Sequence, residues 1–544
     1  MTIGEKIAII RTGAKLSQEE LSNKLNVSRQ SVSKWEMDQA APRIDTLLLF
    51  CKLFGVSMSD MADETVNIPI NNGDASENIK KKVCRYFGTD GFRGETGKDL
   101  NSLQAYKIGR FLGWYFTSAL SGQREINYRP KIVIGKDTRL SSYTLEYAIA
   151  SGLTASGADA YILHVTTTPS VSFVTRHDGF DCGVMISASH NPYSDNGIKL
   201  VNSAGEKMND EVLSLIEDYI DGDTEKFGFP GGDIPFAKQE NIGTIVDHVA
   251  GRNRYIGYLI SLAAHSYRDV RVGLDCANGA SWMIAPAVFE ALGAKTYVIG
   301  NSPNGRNINR DIGSTHISAL KELVKKEKLD IGFAFDGDAD RCIAVDENGN
   351  EVNGDHILYI LANRLKGYNN LQGNTVVPTV MSNAGLFKAL KEAGINTVQA
   401  AVGDRYVWEE MVKNGYSLGG EQSGHIILAK YATTGDGILT AIMLLEEVLD
   451  KKSTLGTLAA PVKILPQVLK NVRVLSKDAV MSDGDISAKI DEISKELAEN
   501  GRILLRKSGT EPVIRIMCEG DNTEQCKQYV ETVAEMIISK GYAE

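Results

Sequence analysis

The sequence predicts a small all-helical domain, then an α/β body of three related domains, then a smaller α+β domain. Three observations carry this. The first sixty residues show helical spacing without a strand signal. A strand–loop–helix–glycine–strand unit occurs three times in the middle of the chain. The last eighty residues mix strands and helices in a different order. The 544 residues suffice for several domains at roughly 100–200 residues each.

Ser17-Gln18-Glu19-Glu20 reads as a capping box, in which the hydroxyl and the carboxylate satisfy free amides at a helix start. Leu21 and Leu25 follow at helical spacing, Asn26 tolerates a left-handed turn, and Ser28 opens a further helix carrying Val32 and Trp35. Between Asp60 and Lys82 the pattern dissolves into polar residues, with Asn72-Gly73 marking a turn, as in a linker. The first α/β unit runs from Lys131–Gly135 through a helical stretch from Tyr143 to the strand after Gly157. The second runs from Val270–Leu274 through a helix after Ala280 to the strand after Gly293. The third runs from Thr375–Val380 through a helix after Gly385 to the strand after Gly394. Such units build parallel sheets with crossover helices. Strands at Val472–Leu475 and Val513–Cys518, with helices near 486–498 and 523–539, complete the chain. The expected domains are residues 1–65, a linker at 66–83, then 84–248, 249–350, 351–464 and 465–544.

Composition is that of an ordinary globular chain, 43% hydrophobic and 24% charged. Apolar runs such as Leu47–Phe50 are far too short to span a membrane, and the first residues lack a signal-peptide layout. Seven cysteines without C-x-x-C spacing argue against a disulfide framework or a zinc cluster. A cytoplasmic protein is expected. The net charge of -10 argues against a chain coated for nucleic acid, and residues 1–65 carry eight Lys or Arg against nine Asp or Glu. Any DNA binding is therefore local.

Five motifs carry chemistry. Asp336, Asp338 and Asp340 alternate after a strand-like run, so an extended chain would point three hard oxygen ligands to one side, suited to Mg²⁺. A calcium EF-hand competes, because Glu347 stands at loop position twelve, but position six is Arg341 instead of glycine and both flanks look like strands. Ser187-Ala188-Ser189-His190-Asn191-Pro192 ends an apolar strand, where an exposed hydroxyl can act as nucleophile or phosphoryl carrier. On an extended chain His190 would point away from Ser189, and the flanks lack the glycines of a nucleophile elbow. Phe87–Gly94 is a glycine-rich loop with one arginine. Arg506-Lys507-Ser508-Gly509-Thr510-Glu511-Pro512 gathers two cations, two hydroxyls and glycine amides, a set able to cradle a phosphate. Gly420–His425 offers a carboxylate and a hydroxyl for sugar hydroxyls.

In this order the motifs make the chain from about residue 84 onward resemble the α-D-phosphohexomutase superfamily, in particular its glucosamine-phosphate branch. Supporting runs are Leu274–Ala280 and Ala401–Val407. The resemblance implies four domains around a central cleft, and a mutase that interconverts glucosamine 6-phosphate and glucosamine 1-phosphate through a phosphoserine and a bisphosphorylated sugar. It implies Ser189 as the phosphoserine. One Mg²⁺ per active site would be held by Asp336, Asp338, Asp340 and the Ser189 phosphate, with a catalytic sugar bisphosphate as activator. Arg93 and Arg341 would lie near the transferring phosphate. Lys199 would be the general acid/base, its pKa lowered by neighbouring Arg93, with His190 as second choice. Glu421 and Ser423 would grip the sugar, and Arg506, Ser508, Gly509 and Thr510 would hold the non-reacting phosphate. The amino-sugar preference rests on Gln422 and the supporting runs; glucose- or mannose-directed relatives are the alternative. Lys136 stands where relatives often carry arginine, and Ala339 where many carry glycine.

Residues 3–60 resemble the Cro/C1-type helix-turn-helix family. That resemblance implies a recognition helix at 28–36 projecting Arg29, Gln30 and Lys34 towards base edges, with Gln18 on a phosphate. It also implies paired copies on DNA, and relatives of the mutase body commonly form homodimers. A different class of function is a transcription regulator using a mutase-derived body only to sense sugar phosphate. The intact phosphoryl carrier, carboxylate triad and phosphate loop favour the enzyme.

Overall fold

A computed structural model describes residues 2–14, 16–25, 27–42, 44–54, 56, 61, 84–120, 129–224, 227, 229, 232–498, 501–507 and 512–543. The linker expected at 66–83 lies outside them. The chain divides into two compact units, one of residues 1–258, 278–284 and 302–310, the other of residues 259–277, 285–301 and 311–544.

The N-terminal region is helical: α1 (Ile3–Gly13), α2 (Gln18–Lys24), α3 (Arg29–Glu36) and α4 (Ile44–Phe54). Capping boxes open α1 at Thr2 and α2 at Ser17, and the Ser28 hydroxyl accepts from Ser31 N at the start of α3. Ile7, Leu21, Val32, Trp35, Leu47 and Phe50 bury one another in a core of their own. Arg11 on α1 reaches Glu36 on α3, and the Gln18 amide donates to the same carboxylate at 2.8 Å.

The α/β part of the same unit is built on one seven-stranded sheet. In chain order it has β1 (Phe87–Gly88), β2 (Gly91–Glu95), α5 (Ser102–Leu120), β3 (Lys131–Lys136), α6 (Leu140–Ala155), β4 (Asp159–Val165), α7 (Thr168–His177), β5 (Cys182–Ile186), β6 (Asp195–Asn202), α8 (Asp210–Asp221) and β7 (Ile245–Asp247). The strand order is β1-β2-β6-β5-β3-β4-β7. Strands β5, β3, β4 and β7 run parallel, whereas β5, β6, β2 and β1 alternate in direction. Helices α5 and α6 approach closely because Gly152 has no side chain; a Cβ there would meet Tyr106 O at 2.2 Å.

The other unit holds three sheets. After α9 (Val249–Ser261) come β8 (Arg271–Asp275), α10 (Ile284–Ala291), β9 (Lys295–Ile299), α11 (Ser318–Glu327), β10 (Ile331–Phe335), β11 (Cys342–Val345) and β12 (Glu351–Val352), the strands ordered β12-β11-β10-β8-β9. Then follow α12 (Gly354–Gly367), β13 (Thr375–Pro378), α13 (Ala384–Glu392), β14 (Asn396–Thr397), α14 (Asp404–Asn414), β15 (Leu418–Gly420), β16 (Ile426–Leu428), α15 (Gly437–Lys451) and α16 (Leu455–Ala459), with strand order β14-β13-β15-β16. The last sheet, β17-β19-β18, is formed by β17 (Gln467–Arg473), β18 (Gly501–Lys507) and β19 (Val513–Gly520), with α17 (Lys477–Met481), α18 (Gly484–Leu497) and α19 (Thr523–Ser539).

The three repeated units of the sequence are β3–α6–β4, β8–α10–β9 and β13–α13–β14, and each strand pair is parallel. Two C-terminal details differ from expectation. The strand expected at 472–475 pairs with β19 only as far as Arg473; Val474 forms an isolated bridge with Ala543, and Leu475 is exposed. Strand β18 was hidden in the sequence by the basic ends of Arg502–Lys507, although Ile503 is buried. All seven cysteines are free thiols, and among the described residues no helix is long and apolar enough to cross a membrane.

Buried acids join α12, α13 and the C-terminal sheet. Asp355 accepts from Asn383 N at 2.8 Å, and Asn383 exchanges side-chain hydrogen bonds with the backbone of Leu465. Buried Glu519 accepts from Ala384 N and from Arg502 Nε, both at 2.9 Å. Burial pushes the Asp355 carboxyl up to about 6, against the Asn383 amide, which favours its charged form. A carboxyl raised in the folded state stabilises it fully below the unfolded pKa, and that contribution is lost as pH rises to the folded value. Stability should therefore fall between about pH 4 and pH 6 by at most roughly 1.4 kcal/mol per unit, and Asp355→Asn should remove this slope. Urea midpoints of the two proteins across that range test it; parallel curves would refute the assignment.

Candidate active site

The chemically equipped loops follow the carboxyl ends of sheet strands, where open α/β sheets bind ligands. After β3, Asp137 and Arg139 form a fully buried ion pair, Arg139 Nε to Asp137 Oδ2 at 2.7 Å. After β5, Ser187 Oγ donates to that same carboxylate at 2.7 Å and accepts from Ser189 N at 3.0 Å. Ser189 adopts φ +51° and is fully buried, not exposed as the strand-end argument expected, because the loop curls back towards Arg139. The same left-handed turn corrects a second expectation. The chain is not extended there, so His190 does not point away: its Nδ1 lies 3.4 Å from Ser189 Oγ.

The glycine-rich loop is the tight turn between β1 and β2. Gly91 has φ +87°, and a Cβ there would meet Ile198 O at 2.6 Å, so this turn lies directly against β6. Its Asp90 pairs with Arg93 and also faces Lys199 Nζ at 3.3 Å and Lys207 Nζ at 3.5 Å. The resemblance predicts Arg93 beside Lys199; the structure instead gathers three cations around one carboxylate, with Asp90 at the centre and Lys207 as the third cation, neither of them expected from the sequence. Lys136 is buried too, paired with Glu146 at 2.5 Å and lying 4.4 Å from the centre of the Tyr143 ring. Its charge is neutralised within the domain.

In the second unit, Asp336, Asp338 and Asp340 are buried and each offers an oxygen within 4.8 Å of the others. Strand alternation does not achieve this. Residues 336–340 form a turn between antiparallel β10 and β11, with Ala339 at φ +56° in place of glycine. Turning the chain brings three carboxylates closer than a flat strand could. An all-oxygen, buried, trianionic set fits Mg²⁺, whose charge offsets the mutual repulsion. Arg341 follows, its N donating to Asp336 Oδ1 at 3.2 Å and its Nε 3.8 Å from Asp340 Oδ1.

Gly420–His425 is the hairpin joining β15 to β16, closed by Glu421 N to His425 O. Ser423 is exposed and Glu421 partly so, its Oε1 accepting from Gly403 N at 3.1 Å. The structure brings this hairpin to the aspartate turn. Cys342 N donates to Gly424 O at 3.0 Å, and a Cβ at Gly424 would meet Cys342 O at 2.2 Å. Residues 435–437 complete the join: Gly435 N donates to His425 Nε2 at 3.2 Å, and Gly437 N to Ala339 O at 3.0 Å. Sequence reasoning missed this segment; its signal was the pair of glycines in Thr434-Gly435-Asp436-Gly437 before a helix. Arg506, the last but one residue of β18, stands directly opposite Arg515 on β19. Burial, then Arg515, pull the Arg506 guanidinium below its ordinary pKa, a setting that favours an anion. Lys507, counted with Arg506 in the sequence, turns to Asp478, since successive strand residues face opposite ways. Ser508, Gly509 and Thr510 lie outside the described residues. On α3, Arg29, Gln30 and Lys34 are exposed.

The four domains of the phosphoglucomutase/phosphomannomutase family match residues 84–227, 253–349, 353–464 and 469–536, and a helix-turn-helix family matches residues 7–61. The chain is 58% identical to a phosphoglucosamine mutase of Lachnospira eligens, over 84% of this chain and 99% of the relative. It belongs to the phosphoglucosamine mutase family. A phosphoglucosamine mutase of Bacillus subtilis is 45% identical over similar shares, 84% and 99%. The fold of the family body is also seen in a phosphoglucomutase/phosphomannomutase family protein of Burkholderia thailandensis, with TM-score 0.69, 22% identity and coverage of 85% of this chain and 99% of that one. An N-acetylphosphoglucosamine mutase of Aspergillus fumigatus, solved with GlcNAc-6P and magnesium, shares it at TM-score 0.59 and 17% identity, covering 84% and 96%. In this chain the helix-turn-helix match precedes the four mutase domains.

Asp338→Asn should weaken Mg²⁺ binding at least tenfold while leaving the fold intact, because it removes one hard ligand and relieves repulsion among the carboxylates. Calorimetric titration with Mg²⁺, alongside thermal melting, would show it. Unchanged affinity would make the triad structural.

Proposed function

We propose that this chain interconverts glucosamine 6-phosphate and glucosamine 1-phosphate, with Ser189 as phosphoryl carrier and a regulatory DNA-binding domain in front. The observation that carries the enzymatic reading is the 58% identity across 99% of a phosphoglucosamine mutase, in a chain that has Ser189, Lys199 and all three aspartates. In the forward step a sugar hydroxyl oxygen bonds to phosphorus as the bond to Ser189 Oγ breaks, giving the bisphosphorylated sugar. In the second step its other phosphate passes to Ser189 Oγ and the 1-phosphate leaves. A catalytic trace of sugar bisphosphate primes unphosphorylated enzyme.

The chain's own residues divide the work. Lys199 moves the proton of the attacking or leaving hydroxyl, and His190, at 3.4 Å, is the second group able to serve Ser189 Oγ. Arg93 and Arg341 contact the transferring phosphate. Glu421 and Ser423 orient the sugar, and Arg506, Ser508, Gly509 and Thr510 retain the other phosphate. Asp336, Asp338 and Asp340 would hold Mg²⁺, which supplies positive charge against the charge developing on the transferring group. Ser189→Ala should lower turnover of glucosamine 6-phosphate by more than a thousandfold, and the unaltered enzyme should show a higher kcat/KM for it than for glucose or mannose 6-phosphate. Coupled assays with purified protein decide both. Substantial activity of the serine variant would remove the carrier, and absence of turnover in the unaltered protein would favour the sugar-phosphate sensor.

The proposed DNA contacts are Arg29, Gln30 and Lys34 on α3, with Gln18 on a phosphate. Gln18 already donates to Glu36, which leaves its second amide hydrogen for the backbone of DNA. Residues 1–65 have too few cations for a single copy to bind strongly, so the body is proposed as a homodimer that presents two copies to a near-palindromic site. Selection from random DNA at physiological salt should enrich such a site with the full-length protein. Arg29→Ala should relax its sequence preference. No enrichment, with or without glucosamine phosphate, would make this a protein-interaction domain.

A further inference from the structure

The densest set of hydrogen bonds to the Ser189 loop comes from two residues outside the motif. Arg139 is fully buried, and its terminal nitrogens donate to the carbonyls of Ser189 and Asn191, each at 2.9 Å, of Asp195 at 3.1 Å, and of Pro192. Asn309, far along the chain but part of the same compact unit, donates from Nδ2 to the carbonyls of Ser189 at 2.8 Å and Asn191 at 3.0 Å. Each of those two carbonyls thus receives a charged donor and a neutral one.

These bonds control both backbone torsions of Ser189. The Ser189 N–H is tied to Ser187 Oγ, which Asp137 holds in turn. The Ser189 carbonyl, on the far side of its Cα, is held by Arg139 and Asn309. A residue with a Cβ stays at φ +51° only when its surroundings over-determine it. Those torsions aim Ser189 Oγ.

We propose that Asn309, with Arg139, is a positioning residue that sets the direction of Ser189 Oγ for phosphoryl transfer. This rests on the reading of Ser189 as carrier. Phosphoryl transfer needs in-line approach, and a displacement of about 1 Å can cost roughly a hundredfold in rate. Asn309→Ala removes one donor from each carbonyl but leaves Arg139 in place, so the loop is kept and its aim relaxes. Asn309→Asp turns an acceptor towards the two carbonyls and should do more harm.

The test measures kcat and KM for glucosamine 6-phosphate, thermal melting, and Ser189 phosphate by intact mass, in Asn309→Ala, Asn309→Asp and Ser189→Ala. Asn309→Ala is expected to lower kcat about 10–100-fold with KM within about twofold and melting unchanged, and Asn309→Asp to lower kcat further. Unaltered kcat, or a loss that merely tracks unfolded protein, would overturn the proposal. Should Asn309→Ala fail to fold, Asn309→Ser keeps one short donor, and the same split of kcat from KM decides. Activity in Ser189→Ala would overturn the carrier reading itself, whereas an inert serine variant beside a fully active Asn309→Ala would overturn only the positioning role.

Discussion

The structure depends on placing charged groups at strand ends without leaving them unpaired. Removing a charge from water costs several kcal/mol unless a partner and hydrogen bonds replace the solvent. Asp137 and Arg139 are both fully buried, and between them they are satisfied by each other, two serine hydroxyls and four backbone carbonyls. Satisfying this pair determines the path of the Ser187–Asp195 loop. The loop in turn places Ser189. Loss of either charge would leave the other buried and alone, so the shape of this loop and the stability of its domain are coupled.

A related constraint acts in the second unit with the opposite sign. Three aspartates share one turn, and the backbone around them is arranged to make room. Ala339 takes a left-handed conformation, Gly437 approaches so closely that a Cβ would lie 2.4 Å from Arg341 O, and Gly424 packs on Cys342. The hairpin carrying Glu421 and Ser423 is therefore attached to the carboxylate turn by backbone contacts. Rigid attachment of one loop to another limits how far either can drift, which a phosphoryl-transfer site requires.

The helical N-terminal domain obeys a separate logic. Its core is its own, and its polar economy centres on Glu36, which holds both Arg11 and Gln18. Burial and hydrogen bonding act oppositely on that carboxylate, with the net effect of keeping it ionised below its ordinary range. The Arg11 cation, paired with Glu36 to knit α1 to α3, is thus unavailable for attracting phosphate, while Arg29 and Lys34 remain on the surface.

Much of this was legible in the chain. The capping residues at Ser17 and Ser28, the three strand–helix–strand repeats and the aspartate, serine and hairpin motifs are local patterns, and local propensity and side-chain chemistry reveal them. What the chain could not reveal is how each turn is closed. Extended geometry suggests that His190 faces away from Ser189 and that alternation aligns the three aspartates, and the composition of the Arg506–Pro512 loop suggests that Lys507 joins Arg506. Positive φ at Ser189 and Ala339 reversed the first and replaced the second, and strand alternation removed the third. Asn309 and the Gly435–Gly437 segment carry no motif, and Asp90 lies in one without revealing its distant partners Lys199 and Lys207, because these roles arise from contacts between residues distant in sequence. Sequence determined which chemical groups are present; tertiary packing decided where they point, because a buried polar atom must find its partner wherever the fold puts one.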